Sequence, residues 1–558
     1  MPKRLAITVS GAVSLGSYEA GVLYEIIEAL RQHNLDPATS DAEKIVIDVL
    51  TGASAGGMTA TIAAQKLAFE ASALSGAYNN SFYRPWVADV NLDGLLAMQP
   101  GENVTHSLLS SNFVHDIARR HITQRYQTHI DPVPDQHPAA KDFIRLGLAL
   151  SNLNGLDYGL QLRPEGQFVY TRHQDELETW IEPKKPQVDD VIDFWEPLRK
   201  AAVSCGAFEF AFRVVDLQRD RKEYTDPSYA SAHPNLVSQL LPVETFTFTD
   251  GGTFQNEPLG LAKDLVDKED KHRDTDSRFY LFVAPGAKGS SANADFHEAK
   301  ADFKETAMRV IGAIFQQARF HDWITAEKVN SQIDRYNAQA EALYKGIRDG
   351  KLDPAPLQAA AKVLLPALFA NNPGETQGQA WQRIHDQFLP EYTELAKKSA
   401  TVADGFIDSL LAFETAAQLG DKDEMKIYGI TAANDELASG DLSAFAGFFE
   451  RRLREHDYDI GREKARKFLT SPKLNAPGEI GPIRYSNPEP LRAHPNLGGL
   501  TMAGIDRHQR ELFRDRIVDR SHEIMKEFGI DPPVIAGAVR EAIADLFVKP
   551  QLEKLLKL

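Results

Sequence analysis

Residues 44–57, with the sequence KIVIDVLTGASAGG, decide the fold. The first half of this stretch, residues 44–50, is rich in β-branched residues and predicts a buried strand. The second half consists almost entirely of small residues, and a helix of small residues is predicted to follow over residues 57–69. A strand, a sharp turn and a helix in this order form the repeating unit of a parallel α/β sheet.

The chain immediately before this stretch has the same arrangement. Residues 5–9 form a short apolar run that predicts a strand, and residues 17–31 carry apolar side chains at helical spacing. Successive units of this kind place their strand-to-helix turns at the carboxyl edge of one sheet, where such folds bind ligands. Further strands are predicted over residues 144–150, 167–171, 246–249 and 279–284.

The length of 558 residues predicts two or three domains, at roughly 100–200 residues per domain. We expect an α/β domain over residues 1–290, in which residues 75–140 form an insertion or a cap. Alanine-, leucine- and charge-rich segments beyond it predict a mostly α-helical C-terminal half. Its predicted parts are a helical region over 291–470, a Pro/Gly-rich arm or linker over 471–505, and C-terminal helices over 506–558.

The composition describes an ordinary globular protein, with 43% hydrophobic and 25% charged residues. The net charge of −17 argues against a nucleic-acid partner but leaves a local, peripheral contact with a membrane open. The single cysteine, Cys205, cannot form an internal disulfide and is interpreted as a small buried hydrophobic residue rather than a nucleophile. From the short apolar run at its start and the lack of a long apolar stretch, we expect neither a signal peptide nor a membrane-spanning segment, and therefore a cytoplasmic protein.

Ser54 is the first candidate catalytic residue, because Gly52-Ala53-Ser54-Ala55-Gly56 fits the pattern G-x-S-x-G. A nucleophile between a strand and a helix sits on a sharp, strained turn, where side chains at the flanking glycine positions would collide. The helix that follows presents backbone N–H groups to a developing oxyanion. The alternative interpretation is a tight turn without chemistry.

A glycine loop over residues 10–16 joins the first strand to the first helix. A phosphate-binding loop would need Lys directly after Gly16, and a dinucleotide-binding loop would need glycine at Val13. A third interpretation is an oxyanion loop, in which the N–H groups of Gly11, Ala12 and Val13, together with that of Ala55, stabilise negative charge. A simple strand-to-helix turn remains the alternative.

Asp250 is the second candidate catalytic residue. It ends the predicted strand over residues 246–249 and is followed by Gly251 and Gly252, which leave room for a substrate. An aspartate in such a loop is a plausible general base, although aspartate is also a common turn residue.

Together, and in this order, these elements resemble the patatin-like phospholipases, a family of lipid acyl hydrolases with a Ser-Asp catalytic dyad. The resemblance rests on the loop ending at Gly16, on the elbow around Ser54 and on the Asp250-Gly251-Gly252 segment, and it covers about residues 1–290. It implies a three-layer core with a parallel sheet, Ser54 as nucleophile, Asp250 as base and a lipid or acyl-ester substrate. It implies no metal and no cofactor.

The chain departs from the family in its glycine loop, which commonly reads G-G-G-x-R/K-G. Ala12 and Val13 replace two glycines here, and Leu15 replaces the basic residue. Backbone N–H groups survive these changes, whereas the positive charge that would attract a phosphate is lost. The sequence therefore favours cleavage of a carboxylic ester, in the manner of a phospholipase A or lysophospholipase, and leaves the lipid head group open.

Two other functions remain open at this point. The first is an α/β-hydrolase esterase with a Ser-His-Asp triad, which would draw its histidine from those that follow Asp250, including His272, His297 and His321. The second is a non-catalytic relative that binds a lipid or a protein. The sequence does not predict an oligomeric state.

Overall fold

The structure is a computed structural model, and it describes most of the chain. The described residues are 2–123, 135–162, 166–182, 191–209, 211–270, 277–286, 296–297, 303–353, 355–356, 376, 379, 382, 385–386, 397, 400–416, 425–440, 444–486, 488–492, 497–527 and 549–558.

Strands and helices alternate through the first half of the chain. The strands are β1 (Lys3–Val9), β2 (Ile45–Gly52), β3 (Ala140–Gln161), β4 (Gln167–Ile181), β5 (Val215–Asp220), β6 (Val243–Thr249), β7 (Arg278–Ala284) and β8 (Ile427–Thr431). The helices are α1 (Gly16–Leu35), α2 (Ala55–Phe69), α3 (Leu92–Leu96), α4 (Ser111–Ala118), α5 (Glu196–Cys205), α6 (Lys222–Thr225), α7 (Leu259–Asp270), α8 (Phe303–Arg348), α9 (Ala400–Ala416), α10 (Arg451–Leu469), α11 (Arg507–Glu527) and α12 (Lys549–Leu556). Each strand predicted from an apolar run is confirmed, and each continues past at least one end of its predicted range.

The eight strands form one sheet with the order β5-β6-β3-β2-β1-β7-β8, and β4 pairs with β3 outside this path. Five neighbouring strands, β3, β2, β1, β7 and β8, are parallel to one another. Strands β4 and β6 run antiparallel to β3, and β5 runs antiparallel to β6. The predicted α/β class is therefore confirmed, with a central sheet that is mostly parallel. Strand β8 was not predicted, and it lies within the stretch expected to be helical.

The carboxyl ends of β1 and β2 lie side by side. Val9, the last residue of β1, pairs with Gly52, the last residue of β2. Ser151, which follows the parallel part of β3, pairs with Thr249 at the end of β6. The loops after these strands therefore meet at one edge of the sheet.

The chain forms two compact units. One consists of residues 1–322 and 426–558 and contains the whole sheet, and the other consists of residues 323–425. In the second unit, Phe406 and Leu410 of α9 form a small apolar core with Ile347 of α8. The domain boundaries expected near residues 290, 470 and 505, and the insertion or cap over 75–140, stay predictions.

Helices α1 and α10 cross in direct backbone contact. A Cβ atom added to Gly21 would lie 2.0 Å from the carbonyl oxygen of Tyr458, and one added to Gly461 would lie 2.1 Å from that of Tyr18. Beside this crossing, the buried Glu25 carboxylate accepts a hydrogen bond from Arg462 Nε at 2.9 Å. Helix α10, which lies far along the chain, thus covers a helix of the N-terminal α/β repeat.

We predict that Gly21→Ala lowers the free energy of unfolding by about 1–3 kcal/mol, because the added methyl group meets a backbone carbonyl that no side-chain rotation can move. Urea denaturation measures the change. Gly429→Ala in β8 is the matched control, since a Cβ atom there meets nothing within 4 Å. Equal stabilities of the two variants would contradict the packing argument.

Candidate active site

Ser54 stands on the turn that joins β2 to α2. Its φ of 51° and ψ of −129° lie in a region that residues with a side chain rarely adopt, which costs about 1–3 kcal/mol. A Cβ atom on Gly52 would lie 2.5 Å from the carbonyl carbon of Gly56, and one on Gly56 would lie 2.3 Å from the Ser10 carbonyl oxygen. Glycine at both flanking positions therefore allows the sharp turn.

Asp250 contacts Ser54 directly. The Ser54 hydroxyl donates a hydrogen bond to Oδ2 of Asp250 at 2.6 Å, and the exposed fractions of the two residues are only 7% and 2%. The Gly252 N–H donates to Oδ1 of the same carboxylate at 2.7 Å. The Asp250 backbone is held by Ser151 Oγ, which donates to its carbonyl at 2.6 Å, and by the Ala207 carbonyl, which accepts its N–H at 3.1 Å.

Burial raises the pKa of Asp250 from 3.8 to about 8, and the negative charge of Glu209 adds to the rise. The hydrogen bonds from Ser54 and Gly252 act in the opposite direction. Glu209 contacts the hydroxyl of Thr253, which also donates to the Asp250 carbonyl at 2.8 Å. A carboxylate with a pKa near 8 is a much stronger base than an ordinary aspartate and is suited to accept a serine proton.

The glycine loop lies against the nucleophile. A Cβ atom on Gly11 would lie 3.1 Å from Cβ of Ser54 and 2.0 Å from the side-chain oxygen of Asn256. The Gly11 N–H, one of the expected oxyanion donors, donates instead to the Asn256 carbonyl at 3.0 Å. Gly11 therefore lets the loop approach Ser54, while its own N–H is occupied.

The N–H groups of Ala12, Val13 and Ala55 remain as candidate oxyanion donors. Ala55 is the first residue of α2, and the first N–H groups of a helix have no acceptor within the helix. Val13 has a φ of 51°, and in the described part of the chain neither Ala12 nor Val13 donates its N–H to a backbone carbonyl. The role of these donors stays a prediction.

The other motif glycines permit close packing around the site. A Cβ atom on Gly16 would lie 2.7 Å from the Trp86 ring, and one on Gly251 would lie 1.9 Å from the Ala149 carbonyl oxygen. Both positions bring a loop end onto the core next to the candidate catalytic pair.

An apolar cavity begins at Ser54. It contains about 830 Å³ of empty space, part of which is open to solvent, and Val13 and Ala55 share its lining with Ser54. Apolar side chains from α2, from residues 85–122, from α5 and from the turn at 446–448 form much of the remaining wall; they include Met58, Ile62, Trp86, Ile117, Val203 and Phe448. The apolar lining of this cavity is suited to an apolar group of a ligand.

His121 also lines the cavity, but its ring contacts an acid other than Asp250. Its Nε2 atom lies 2.6 Å from Oδ2 of Asp89, and Arg120 lies 3.4 Å from the same oxygen. Among the described residues, the hydrogen-bond donors to the Asp250 carboxylate are Ser54 and Gly252. His272, one of the histidines considered for a triad, lies outside the described residues.

Cys205 is buried behind the elbow. A Cβ atom on Gly57 would lie 2.3 Å from its sulfur atom. Burial raises the pKa of the Cys205 thiol well above its ordinary value, so the group is a neutral packing element.

Sequence reasoning did not identify Glu209 or Phe448 as parts of the site. Glu209 lies in the loop after α5. Phe448 comes from a part of the chain whose proximity to Ser54 depends on the docking of α10. Neither residue has a local pattern that marks it as functional.

Comparison with known proteins does not assign the chain to a family, and no protein-family model matches it. Over 385 residues the chain is 26% identical to the uncharacterized protein y4iI of Sinorhizobium fredii, an alignment that covers 57% of this chain and 54% of that protein. The chain thus spans about half the length of this curated relative. The crystal structure of VipD from Legionella pneumophila matches with 11% identity and a TM-score of 0.22, covering 100% of this chain and 85% of VipD, and a TM-score this low does not establish a shared fold.

Two features are absent from the described residues. No group of three or more His, Cys, Asp or Glu side chains is arranged there to hold a metal ion. In the same residues, no helix is long and apolar enough to cross a membrane.

We predict that kcat/KM for ester hydrolysis rises with pH around a midpoint near 8, because Asp250 must be ionised to accept a proton and its pKa is about 8. Glu209→Gln should move this midpoint to lower pH, since it removes a neighbouring negative charge. Glu244→Gln, near the far end of the strand that leads to Asp250, should leave it unchanged. A midpoint near the ordinary aspartate pKa in the wild type would contradict the effect of burial.

Proposed function

We propose that the protein is a serine acyl hydrolase that cleaves carboxylic esters of lipids through a Ser54-Asp250 dyad. The observation that supports this most is the 2.6 Å hydrogen bond from Ser54 Oγ to a buried carboxylate, made on a strained turn at the mouth of an apolar cavity. The patatin-like resemblance of the sequence agrees with this proposal, including the order of loop, elbow and acid.

In the proposed mechanism, Asp250 accepts the Ser54 proton while the serine oxygen attacks the ester carbonyl carbon. The N–H groups of Ala12, Val13 and Ala55 stabilise the resulting oxyanion, and a single donor of this kind is worth roughly 3–4 kcal/mol. Asp250 then protonates the departing alcohol, which leaves an acyl-enzyme. Water, deprotonated by Asp250, attacks the acyl carbonyl and releases the fatty acid and the free serine.

The apolar cavity supports a lipid rather than a small polar ester as the substrate. Burying one methylene group contributes about 0.8 kcal/mol, so an acyl chain in this cavity provides binding energy that a short ester lacks. Leu15, an uncharged residue, is buried in the glycine loop at the position where the family carries a basic side chain. We therefore propose the acyl chain, rather than a head group, as the part of the substrate that is recognised beside Ser54.

The first experiment tests the nucleophile and the base. A fluorophosphonate probe should label the wild type but not Ser54→Ala, and Asp250→Asn should lower kcat for ester hydrolysis by about 10²–10⁴-fold, the usual range for a lost general base. His121→Gln should remain labelled, because this histidine contacts Asp89 rather than the serine.

The outcomes separate the three functions. Loss of labelling in His121→Gln together with an active Asp250→Asn would support a triad instead of the dyad. An unlabelled wild type that binds lipid or protein would support the non-catalytic alternative. Circular dichroism of each variant shows that the fold is intact.

The second experiment tests the acyl cavity. Ala118 lines the cavity, so Ala118→Trp should lower kcat/KM for p-nitrophenyl palmitate by about tenfold or more, because a filled cavity excludes a long chain. The value for p-nitrophenyl butyrate should stay close to that of the wild type. Arg119→Trp adds the same ring at the exposed neighbouring position and should affect neither ester. Equal losses on both esters with Ala118→Trp would argue against this role of the cavity.

A further inference from the structure

The backbone at Val13 adopts a conformation that other contacts must maintain. Its φ of 51° is unfavourable for a β-branched residue, and such conformations persist only where the surrounding structure imposes them. Within the loop, the Leu15 N–H donates to the Ala12 carbonyl at 3.0 Å, which closes a short turn. This local bond fixes the turn but does not connect it to the rest of the molecule.

Ser14 connects the turn to a distant part of the chain. Its side chain is fully buried, and its hydroxyl donates a hydrogen bond to the Ala444 carbonyl and accepts one from the Gly447 N–H at 3.1 Å. A Cβ atom on Gly447 would lie 2.6 Å from the Ser14 hydroxyl oxygen, so only glycine permits this approach. We call residues 444–449 the clamp turn.

The clamp turn is itself held by helix α10. Arg454, which is buried on that helix, donates from Nη1 to the Gly447 carbonyl at 2.7 Å and from Nη2 to the Val87 carbonyl at 3.2 Å. Phe448 of the clamp turn lines the apolar cavity. One short segment therefore contacts both the candidate oxyanion loop and the candidate acyl site.

We infer that Ser14 is a positioning residue, which ties the Val13 turn to the clamp turn and so holds the Ala12 and Val13 N–H groups in place for the oxyanion. This inference rests on the proposed function. It extends the active site to residues 444–449, which lie far outside the segment that resembles the patatin-like enzymes. Ser14 does not touch the substrate and acts only through its neighbours.

The test uses the full-length protein and p-nitrophenyl butyrate. Ser14→Ala should lower kcat at least about tenfold while KM stays unchanged, because loss of one oxyanion donor lowers kcat by about 10²–10³-fold and a displaced donor loses part of that. Gly447→Ala should have the same effect, since its methyl group would displace the Ser14 hydroxyl. The acid midpoint of the kcat profile should not move in either variant, because Asp250 is unaffected.

Ser231→Ala is the matched control. Ser231 is also buried, and its hydroxyl donates to the Glu223 carbonyl at 2.5 Å in another part of the same unit. An unchanged kcat in Ser14→Ala would overturn the inference while the proposed function stood. The inference also fails if Ser231→Ala lowers kcat equally at the same loss of melting temperature, whereas an inactive wild type would defeat the proposed function first.

Discussion

The contact between residue 56 and the end of β1 is the constraint on which the rest of the site depends. A side chain at Gly56 would collide with the carbonyl oxygens of Val9 and Ser10, at 2.4 Å and 2.3 Å. Without a side chain there, the first turn of α2 lies directly on the end of the neighbouring strand. The elbow and the glycine loop are thereby held together, and a Cβ atom on Gly11 of the loop would lie only 3.1 Å from Cβ of Ser54.

Charge is distributed around this contact in an unusual way. The Asp250 carboxylate is buried and has Glu209 as a neighbour. Its negative charge is stabilised by hydrogen bonds from Ser54 and Gly252, and none of the groups that shift its pKa is a cation. Burying a carboxylate without a cation costs free energy, since the low dielectric disfavours the charged form. The same cost makes the group basic, so the feature that weakens the fold locally is the one that gives the proposed dyad its reactivity. The strained backbone of Ser54 likewise lowers the stability of the fold, and it places the serine hydroxyl next to Asp250.

Local sequence patterns predicted six of the eight strands of the described sheet and the first two helices, because apolar runs and glycine turns act over a few residues. They missed β5, and the pairing of Ser54 with Asp250 was expected only from the patatin-like resemblance. They did not predict β8, a strand of only five residues that belongs to the sheet through its pairing with β7. They also did not predict that the Gly11 N–H donates to a backbone carbonyl, because the acceptor, Asn256, lies 245 residues away. The same holds for the packing of α10 on α1, where the pattern of α10 shows an amphipathic helix but not the surface that it covers.

The late position of α10 has a consequence for synthesis. Domains generally begin to fold from the N-terminus while the chain is still on the ribosome. A nascent chain that ends before residue 451 already contains Ser54 and Asp250, yet α1 has no helix over Gly21, and the Glu25 carboxylate lacks the arginines that neutralise it. Such a chain exposes apolar surface to chaperones and proteases instead of presenting a finished cleft. The order of the elements along the gene thus delays completion of the candidate active site until most of the protein has been made.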